Sequence, residues 1–112
     1  MLAKANRITR GEDYRATVRR GRRSTTPNAV LYVRRNDTTP TPRFGFIVSK
    51  QVGVAVVRNT VRRRLKALCA EVRGDLDPHS DIVIRALPGL DSVQWPELRS
   101  SLQRALREGA GA

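Results

Sequence analysis

The sequence has few of the residues that build metal sites or covalent catalytic sites. Its 112 residues include one cysteine, Cys69, and one histidine, His79. A single cysteine excludes an internal disulfide and a cysteine cluster for zinc. A single histidine argues against the usual metal sites and against a Ser/His/Asp arrangement. We therefore predict that the protein carries no catalytic side chains and no metal site of its own.

Long apolar segments are also missing. No apolar run approaches the roughly 20 residues that a membrane span requires. The N-terminus lacks the apolar central region of a signal peptide. We therefore expect a cytoplasmic protein with no membrane partner.

Acidic residues are scarce beside basic ones. Lys and Arg together number 22, against 10 Asp and Glu, so the formal net charge is +12. Arginine dominates this excess, because the only lysines are Lys4, Lys50 and Lys66. Its planar guanidinium suits bidentate phosphate contacts and stacking on bases. The composition predicts a polyanionic partner. The alternative, a charge that serves solubility alone, does not require so large an imbalance.

Hydropathy patterns and turn residues predict a single α+β domain over residues 1–112. The first helix should begin at Thr9, whose side chain can cap it, and should stop by Gly21. The later predicted elements are strand 28–35, strand 43–50, helix 54–73, strand 81–87 and helix 96–108. A short polar loop joins the first two strands, which predicts an antiparallel hairpin. The order α-β-β-α-β-α indicates a sandwich of helices packed on a small sheet.

The helix predicted over residues 54–73 has two chemically different faces. Five apolar residues share an arc of roughly 80° and should pack on the sheet; they are Val57, Val61, Leu65, Leu68 and Val72. The adjoining arc carries Arg58, Arg62, Lys66 and Arg73, with Arg63 and Arg64 flanking it. A solvated face with many salt bridges is the alternative. It is disfavoured because Glu71 is the only acid between Arg58 and Arg73.

Two further sets of residues are candidates for RNA contacts. A second basic cluster, Arg19, Arg20, Arg22 and Arg23, ends the first predicted helix, although such runs are often only solvated surface. Among the five aromatic residues, Phe44, Phe46 and Trp95 are predicted to lie in the core. Tyr14 and Tyr32 are candidates for stacking on unpaired bases. Their alternative role is packing at the rim of the core.

Four segments together resemble one known family, the protein component of bacterial ribonuclease P. They are NRITRGEDY, RFGFIVSKQVG, AVVRNTVRRRLK and DIVIRA, and the resemblance covers nearly the whole chain. The family carries an Arg-Asn-Arg signature in the basic helix. Arg58 and Asn59 match this signature, but Thr60 stands where the second arginine is expected.

The resemblance implies details of the fold that periodicity does not give. The helix after RFGFIVSK should make a left-handed crossover to the strand at DIVIRA, whereas such connections are right-handed in about 98% of cases. A short additional strand is expected before Asn28, so the implied order is α-β-β-(β)-α-β-α.

The resemblance also implies a function, which is removal of the 5′ leader from precursor tRNA. The catalytic RNA subunit and its magnesium ions would carry the chemistry, with no metal held by the protein alone and no obligate protein partner. The implied contacts with the catalytic RNA are Arg58, Asn59, Arg62, Arg63 and Lys66. The implied cleft for the single-stranded leader contains Tyr14 and Tyr32. Ile47 and Ser49 should face the same cleft, because they alternate with the predicted core residues of their strand. Lys50, at the end of that strand, is a candidate phosphate contact.

Three other function classes remain open at the level of sequence. A ribosomal or other structural RNA-binding protein would have similar charge and layout. A DNA-binding regulator would place the arginine helix in a major groove. A protein-only nuclease would need clustered carboxylates for metals, and Asp75, Asp77 and Asp81 lie close in sequence, although turn and capping roles suit them better.

Overall fold

The computed structural model describes residues 2–112, which contain three α-helices, four β-strands and three 3-10 helices. The α-helices are α1 (Gly11–Arg20), α2 (Ala55–Val72) and α3 (Trp95–Ala110). The strands are β1 (Arg22–Thr25), β2 (Ala29–Arg35), β3 (Arg43–Ile47) and β4 (Ser80–Ala86). The 3-10 helices span Lys4–Asn6, Arg73–Asp75 and Leu90–Ser92. The predicted α+β class is confirmed, and β1 is the additional strand that the family resemblance implied.

The start of α1 differs from the prediction. Arg10 occupies the N-cap position, no side chain caps the helix, and Thr9 lies outside it. The helix ends at Arg20 and is followed by Gly21, where a Cβ atom would collide with the carbonyl oxygen of Thr17. The prediction that four arginines end this helix is therefore half wrong. Arg19 and Arg20 end α1, but Arg22 and Arg23 begin β1.

The sheet has the strand order β1-β2-β4-β3, so the predicted hairpin between β2 and β3 is wrong. β4 lies between them, antiparallel to β2 and parallel to β3. The physical reason is the apolar run of Ile82, Val83 and Ile84, which is fully buried on both faces. A strand that is apolar on both faces needs cover on both sides, and this favours the central place in a sheet. β2 and β3 are less completely buried along their length and pair on either side of it.

Each face of the sheet packs against different helices. Leu31, Phe44, Ile82 and Ile84 face α2 and α3 in the larger apolar cluster. Ile8, Val30, Tyr32 and Val83 form a smaller cluster on the opposite face, against which Tyr14, Val18, Ile47 and Leu87 pack. Because Tyr14 and Val18 belong to α1, this helix covers the second face. The side chains of strand residues thus alternate between two cores, as the period of a strand requires.

The N-terminal segment lies along the outer edge of β3. The backbone amide of Ile8 donates to the carbonyl of Phe44 at 2.9 Å, and Arg7 forms a parallel bridge with the same residue. The Asn6 side chain is buried and donates to the Thr41 hydroxyl at 2.8 Å and to the Pro42 carbonyl at 2.9 Å. These bonds fix the position of Arg7 beside the edge of the sheet.

α2 connects β3 to its parallel neighbour β4, as the family resemblance implied. The left-handed sense of this connection stays a prediction from that resemblance. Across residues 2–112, the helices are all too short or too polar to cross a membrane.

Candidate nucleic-acid interface

α2 anchors its apolar stripe in the core, as predicted. Val61, Leu65, Leu68 and Val72 are buried, and Val57 packs against the same cluster. The adjoining cations remain accessible: Arg58, Arg62 and Lys66 are partly exposed, and Arg63 is exposed. A helix that is fixed on one face presents the charges of the other at constant spacing. We call Arg58, Asn59, Arg62, Arg63 and Lys66 the α2 basic face.

No side chain of the α2 basic face forms an ion pair with the described residues. Glu71, the only acid in α2, is bound from α3 by Arg99, whose Nε lies 2.6 Å from Oε1. This hydrogen bond lowers the pKa of Glu71, although desolvation of the carboxylate acts in the opposite direction. The predicted shortage of acidic partners for these cations is therefore confirmed. The alternative, a solvated helix face with many salt bridges, is not supported.

Two polar contacts organise the exposed side of α2. Arg62 donates to the Asn59 side chain at 3.1 Å and to the Val48 carbonyl at 3.5 Å. Asn59 and Val48 thus orient a guanidinium that still has free N–H groups. The Thr60 hydroxyl donates to the Val56 carbonyl at 3.1 Å within the same helix. Thr60 therefore satisfies its own hydroxyl and adds no charge to this face.

The N-terminal segment and α2 enclose a basic groove of about 330 Å³. Its lining residues are Leu2, Arg7, Asn59, Arg62, Arg63, Lys66 and Ala67. Arg7 was not among the predicted site residues. The position of Arg7 is determined by backbone pairing with β3. A short local sequence pattern does not reveal pairing with a distant strand. The groove shows that the basic surface extends beyond α2 itself.

A second groove, which we call the cleft, lies between α1 and β3. Its volume is about 280 Å³, and its lining residues are Tyr14, Arg15, Val18, Arg19 and Ile47. The structure thus brings together the predicted Tyr14 and Ile47 and adds Arg15. Arg19, from the second basic cluster, lies on the same wall. The helical period of 3.6 residues places residues 14, 15, 18 and 19 on neighbouring arcs of α1. This periodicity could have identified Arg15 as a cleft residue.

Tyr14 is held against β3 by two features. Its hydroxyl accepts a hydrogen bond from the Phe46 backbone amide at 3.2 Å. Its ring lies directly over Gly45, where a Cβ atom on residue 45 would stand 2.5 Å from Tyr14 Cε1. The ring remains partly exposed at the mouth of the cleft. It therefore has both a fixed orientation and an accessible surface.

The other predicted cleft residues occupy different places. Tyr32 has 7% of its surface exposed and lies in the smaller core beneath α1. It supports the sheet face rather than offering a ring face to solvent. Ser49 and Lys50 are exposed in the turn after β3, which ends at Ile47, and neither lines the cleft. Their roles in binding stay predictions.

A small cavity of about 190 Å³ between the N-terminal segment, β3 and α2 shares lining residues with both grooves. It is lined by Arg7, Ile8, Tyr14, Phe44, Phe46, Arg62 and Lys66. Arg62 and Lys66 of the α2 basic face therefore lie around the same cavity as Tyr14 of the cleft. The two predicted binding surfaces therefore both contribute residues to this cavity.

A buried carboxylate, Asp81, holds the sheet together at the other end of these strands. It accepts two hydrogen bonds at 2.9 Å from Arg43, one at 3.0 Å from Arg34 and one at 2.9 Å from Asn36. Burial by itself raises the pKa of Asp81, but these bonds together outweigh it, and the pKa is lowered. Arg43 also reaches Asp13 of α1 at 3.6 Å. The network links β2, β3, β4 and α1.

The three carboxylates considered for a nuclease site make separate contacts. Asp75 pairs with Arg107 at 3.3 Å, and Asp77 with Arg35 at 3.2 Å, while Asp81 is enclosed as described. Within residues 2–112, no three His, Cys, Asp or Glu side chains are grouped to hold a metal ion. The side chains that line the two grooves are instead cationic, aromatic and aliphatic, apart from the amide of Asn59.

Comparison with known proteins agrees with these features. The family described as Ribonuclease P matches residues 2–109. The ribonuclease P protein component of Clavibacter michiganensis is 50% identical over 111 residues, covering 96% of this chain and 98% of that protein. That of Streptomyces griseus is 43% identical over 122 aligned positions, covering 100% and 99%.

Solved structures share the fold. The RNase P protein of Staphylococcus aureus superposes with a TM-score of 0.85 at 25% identity, covering 94% of this chain and 95% of that one. The RNase P protein of Thermotoga maritima gives a TM-score of 0.83 at 22% identity, covering 94% and 98%. The resemblance found in the four sequence segments is thereby confirmed, and the chain belongs to the Ribonuclease P protein family.

Proposed function

We propose that this chain is the protein subunit of a ribonuclease P ribonucleoprotein, which removes the 5′ leader of precursor tRNA by endonucleolytic cleavage. The observation that carries the proposal is that Arg62 and Lys66 of the α2 basic face line the same cavity as Tyr14 of the cleft. Cations without acidic partners, on a helix fixed in the core, suit the phosphates of a folded RNA. We propose the cytoplasm as the location, since this is where precursor tRNA is made in a bacterium.

In this proposal the α2 basic face binds the catalytic RNA. Arg62 is oriented by Asn59 and the Val48 carbonyl, and it keeps N–H groups for phosphate oxygens. Arg7 and Arg63 extend the contact through the basic groove. Neutralising RNA phosphates releases condensed counterions, which provides the binding free energy and makes it dependent on salt.

The cleft binds the single-stranded leader. A partly exposed tyrosine with arginines beside it is the combination that binds unpaired nucleotides, because the ring stacks on a base while the cations contact the backbone. Tyr14 supplies the ring, Val18 and Ile47 supply apolar walls, and Arg15 and Arg19 supply charge. Tyr32 maintains the sheet face beneath α1.

The chain contributes binding and orientation rather than bond cleavage. Magnesium ions held mainly by the RNA supply the stabilisation of charge that phosphodiester hydrolysis needs. The described residues offer no three-carboxylate group for such an ion, so the proposed roles of the protein are to hold the leader and to reduce repulsion between two RNA strands. Both roles matter most when magnesium is scarce, because fewer divalent ions then screen the phosphates.

A cleavage assay at low magnesium tests the proposal. The catalytic RNA of the host is incubated with precursor tRNA, with and without the protein, and appearance of the free leader is measured. We expect the protein to raise the rate strongly at low magnesium and less at high magnesium. No gain would contradict the proposal and favour a structural RNA-binding protein without an enzymatic role. Cleavage by the protein without RNA would favour the nuclease alternative.

A further inference from the structure

β4 carries one exposed residue in an otherwise buried strand, and that residue is Arg85. It directly opposes Val30 of β2 on one side and Ile47 of β3 on the other. It shares the parity of Val83, which belongs to the smaller core on the α1 side of the sheet. Arg85 therefore projects from the same sheet face that α1 covers.

Arg85 is not part of the lining of the cleft, but it lies beside it on the sheet. Its neighbour Ile47 is one of the residues that line the cleft. Tyr14 and Val18, which also line it, pack against the same small cluster as Ile47. Arg15 and Arg19 approach from α1, whereas Arg85 comes from the sheet. The helix wall of the cleft thus carries two arginines, and Arg85 stands next to Ile47 at the sheet wall.

Arg85 has no structural partner that would explain a charge at this place. No hydrogen bond or ion pair joins its side chain to any residue between 2 and 112. Arg34 and Arg43, further along the same sheet face, both bind Asp81 instead. An arginine between two apolar neighbours keeps its aliphatic part against them and its charged end in water. Its guanidinium is therefore available to an anion.

We propose that Arg85 binds a backbone phosphate of the single-stranded 5′ leader, as a contact from the sheet side of the cleft. This inference rests on the proposed function. A phosphate is the favoured ligand because the site offers a positive charge that is open to solvent. It lacks the enclosed hydrogen-bonding groups that would recognise the edge of a base. The contribution should therefore be independent of leader sequence and sensitive to salt.

The test uses the holoenzyme assembled from the host catalytic RNA, with Arg85→Gln and Arg85→Lys proteins. Arg104→Gln is the matched control, because Arg104 is an exposed arginine on α3, which packs on the opposite face of the sheet. Affinity is measured for precursor tRNA with a leader and for mature tRNA, across a series of salt concentrations. Thermal unfolding of each free protein confirms that the variants fold.

We expect Arg85→Gln to weaken binding of the leader-bearing substrate by about fivefold at 0.1 M salt, and to reduce the log–log salt slope by about 0.7, the value for one single-strand phosphate. Binding of mature tRNA and of the catalytic RNA should not change. Arg85→Lys should keep the slope, because it keeps the charge. Arg104→Gln should alter neither quantity.

The outcomes separate this inference from the function on which it rests. A wild-type holoenzyme that binds both substrates equally would overturn the cleft assignment and the role of Arg85 together. A wild-type preference for the leader that Arg85→Gln leaves intact would overturn the role of Arg85 alone. An effect confined to some leader sequences would also overturn it, since that result indicates base recognition.

Discussion

At the scale of single residues, Tyr14 occupies the mouth of the cleft because residue 45 has no side chain. The sequence identified Tyr14 as a stacking candidate, and the structure adds the reason for its orientation, which is contact with Gly45 and a bond from the Phe46 amide. Tyr32 shows the limit of such a prediction. The two tyrosines differ because Tyr32 lies on β2 under α1, whereas Tyr14 belongs to α1 and lines the cleft.

Replacing Gly45 by alanine should displace the Tyr14 ring. The added Cβ has no room, so the ring must rotate away and lose its hydrogen bond, at a cost of about 1 to 3 kcal/mol in the free energy of unfolding. Urea unfolding of the purified protein measures this cost. Gly74→Ala is the control, because its Cβ would meet no atom within 4 Å. Equal stability of the two variants would contradict the close packing.

Replacing Tyr32 should mainly lower the stability of the fold, whereas replacing Tyr14 should mainly weaken leader binding. Tyr32→Ala leaves a cavity under α1 and should cost about 3 kcal/mol or more in unfolding free energy. Tyr14→Ala should lose about 1 to 3 kcal/mol of leader affinity if the ring stacks on a base. Urea titration measures the first, and binding of precursor tRNA against mature tRNA measures the second. A Tyr14→Ala holoenzyme that keeps the full preference for the leader would exclude stacking there.

At the scale of elements, helix periodicity predicted α2 almost completely and strand pairing hardly at all. The predicted limits, 54–73, differ from Ala55–Val72 by one residue at each end, and the stripe from Val61 to Val72 is buried as predicted. A helix is defined by contacts three and four residues apart, which a sequence displays directly. The partner of a strand is chosen across the whole chain, so the hairpin between β2 and β3 was a local inference that β4 overrides.

Removing three cations from the α2 basic face should flatten the salt dependence of RNA binding. If Arg58, Arg62 and Lys66 meet three phosphates of a helical region, their joint replacement by glutamine should reduce the log–log slope by roughly 2 to 3 units. Affinity for the catalytic RNA, measured from low to moderate salt, checks this.

A triple variant on α3 serves as the control for charge. Arg99, Arg104 and Arg107 each pair with an acid, and their replacement by glutamine removes the same net charge. It should leave the slope nearly unchanged. If the salt slope fell by a similar amount in both triple variants, overall charge and not the α2 basic face would determine RNA binding.

At the scale of the whole molecule, Asp81 connects parts of the chain that no sequence pattern links. Arg34 and Arg43 lie on strands that do not touch each other, yet both bind this carboxylate from either side of β4. Asp81 was predicted only as a turn or capping residue in the segment before a strand. Its actual role depends on strand order, which explains why sequence patterns alone did not reveal it.

The Asp81 network should make stability depend on pH in the acid range. Because the folded-state pKa lies below the ordinary value of about 3.9, the stabilisation is fully present above that pH and is lost as the pH falls through the folded-state pKa. Asp81→Asn should cost about 3 kcal/mol at neutral pH, the lower end for a broken buried ion pair, since both arginines keep some contact with water.

Urea midpoints at pH 7, 4.5 and 3 measure this effect. The difference between the wild-type protein and Asp81→Asn should shrink as the pH approaches 3. Asp91→Asn, at an exposed carboxylate, should follow the wild-type curve. A difference that stays constant across this range would contradict the assignment of the acid-sensitive step to Asp81.

The central position of β4 has a consequence for synthesis of the chain on the ribosome. β2 and β3 each pair with β4, which spans Ser80–Ala86 and follows both of them and α2 in sequence. Until that strand emerges, a nascent chain can form the β1–β2 pair and α2 but cannot close either core. The basic helix is therefore made, with its charges exposed, before the domain that fixes it can fold, and folding should be delayed until most of the chain is available.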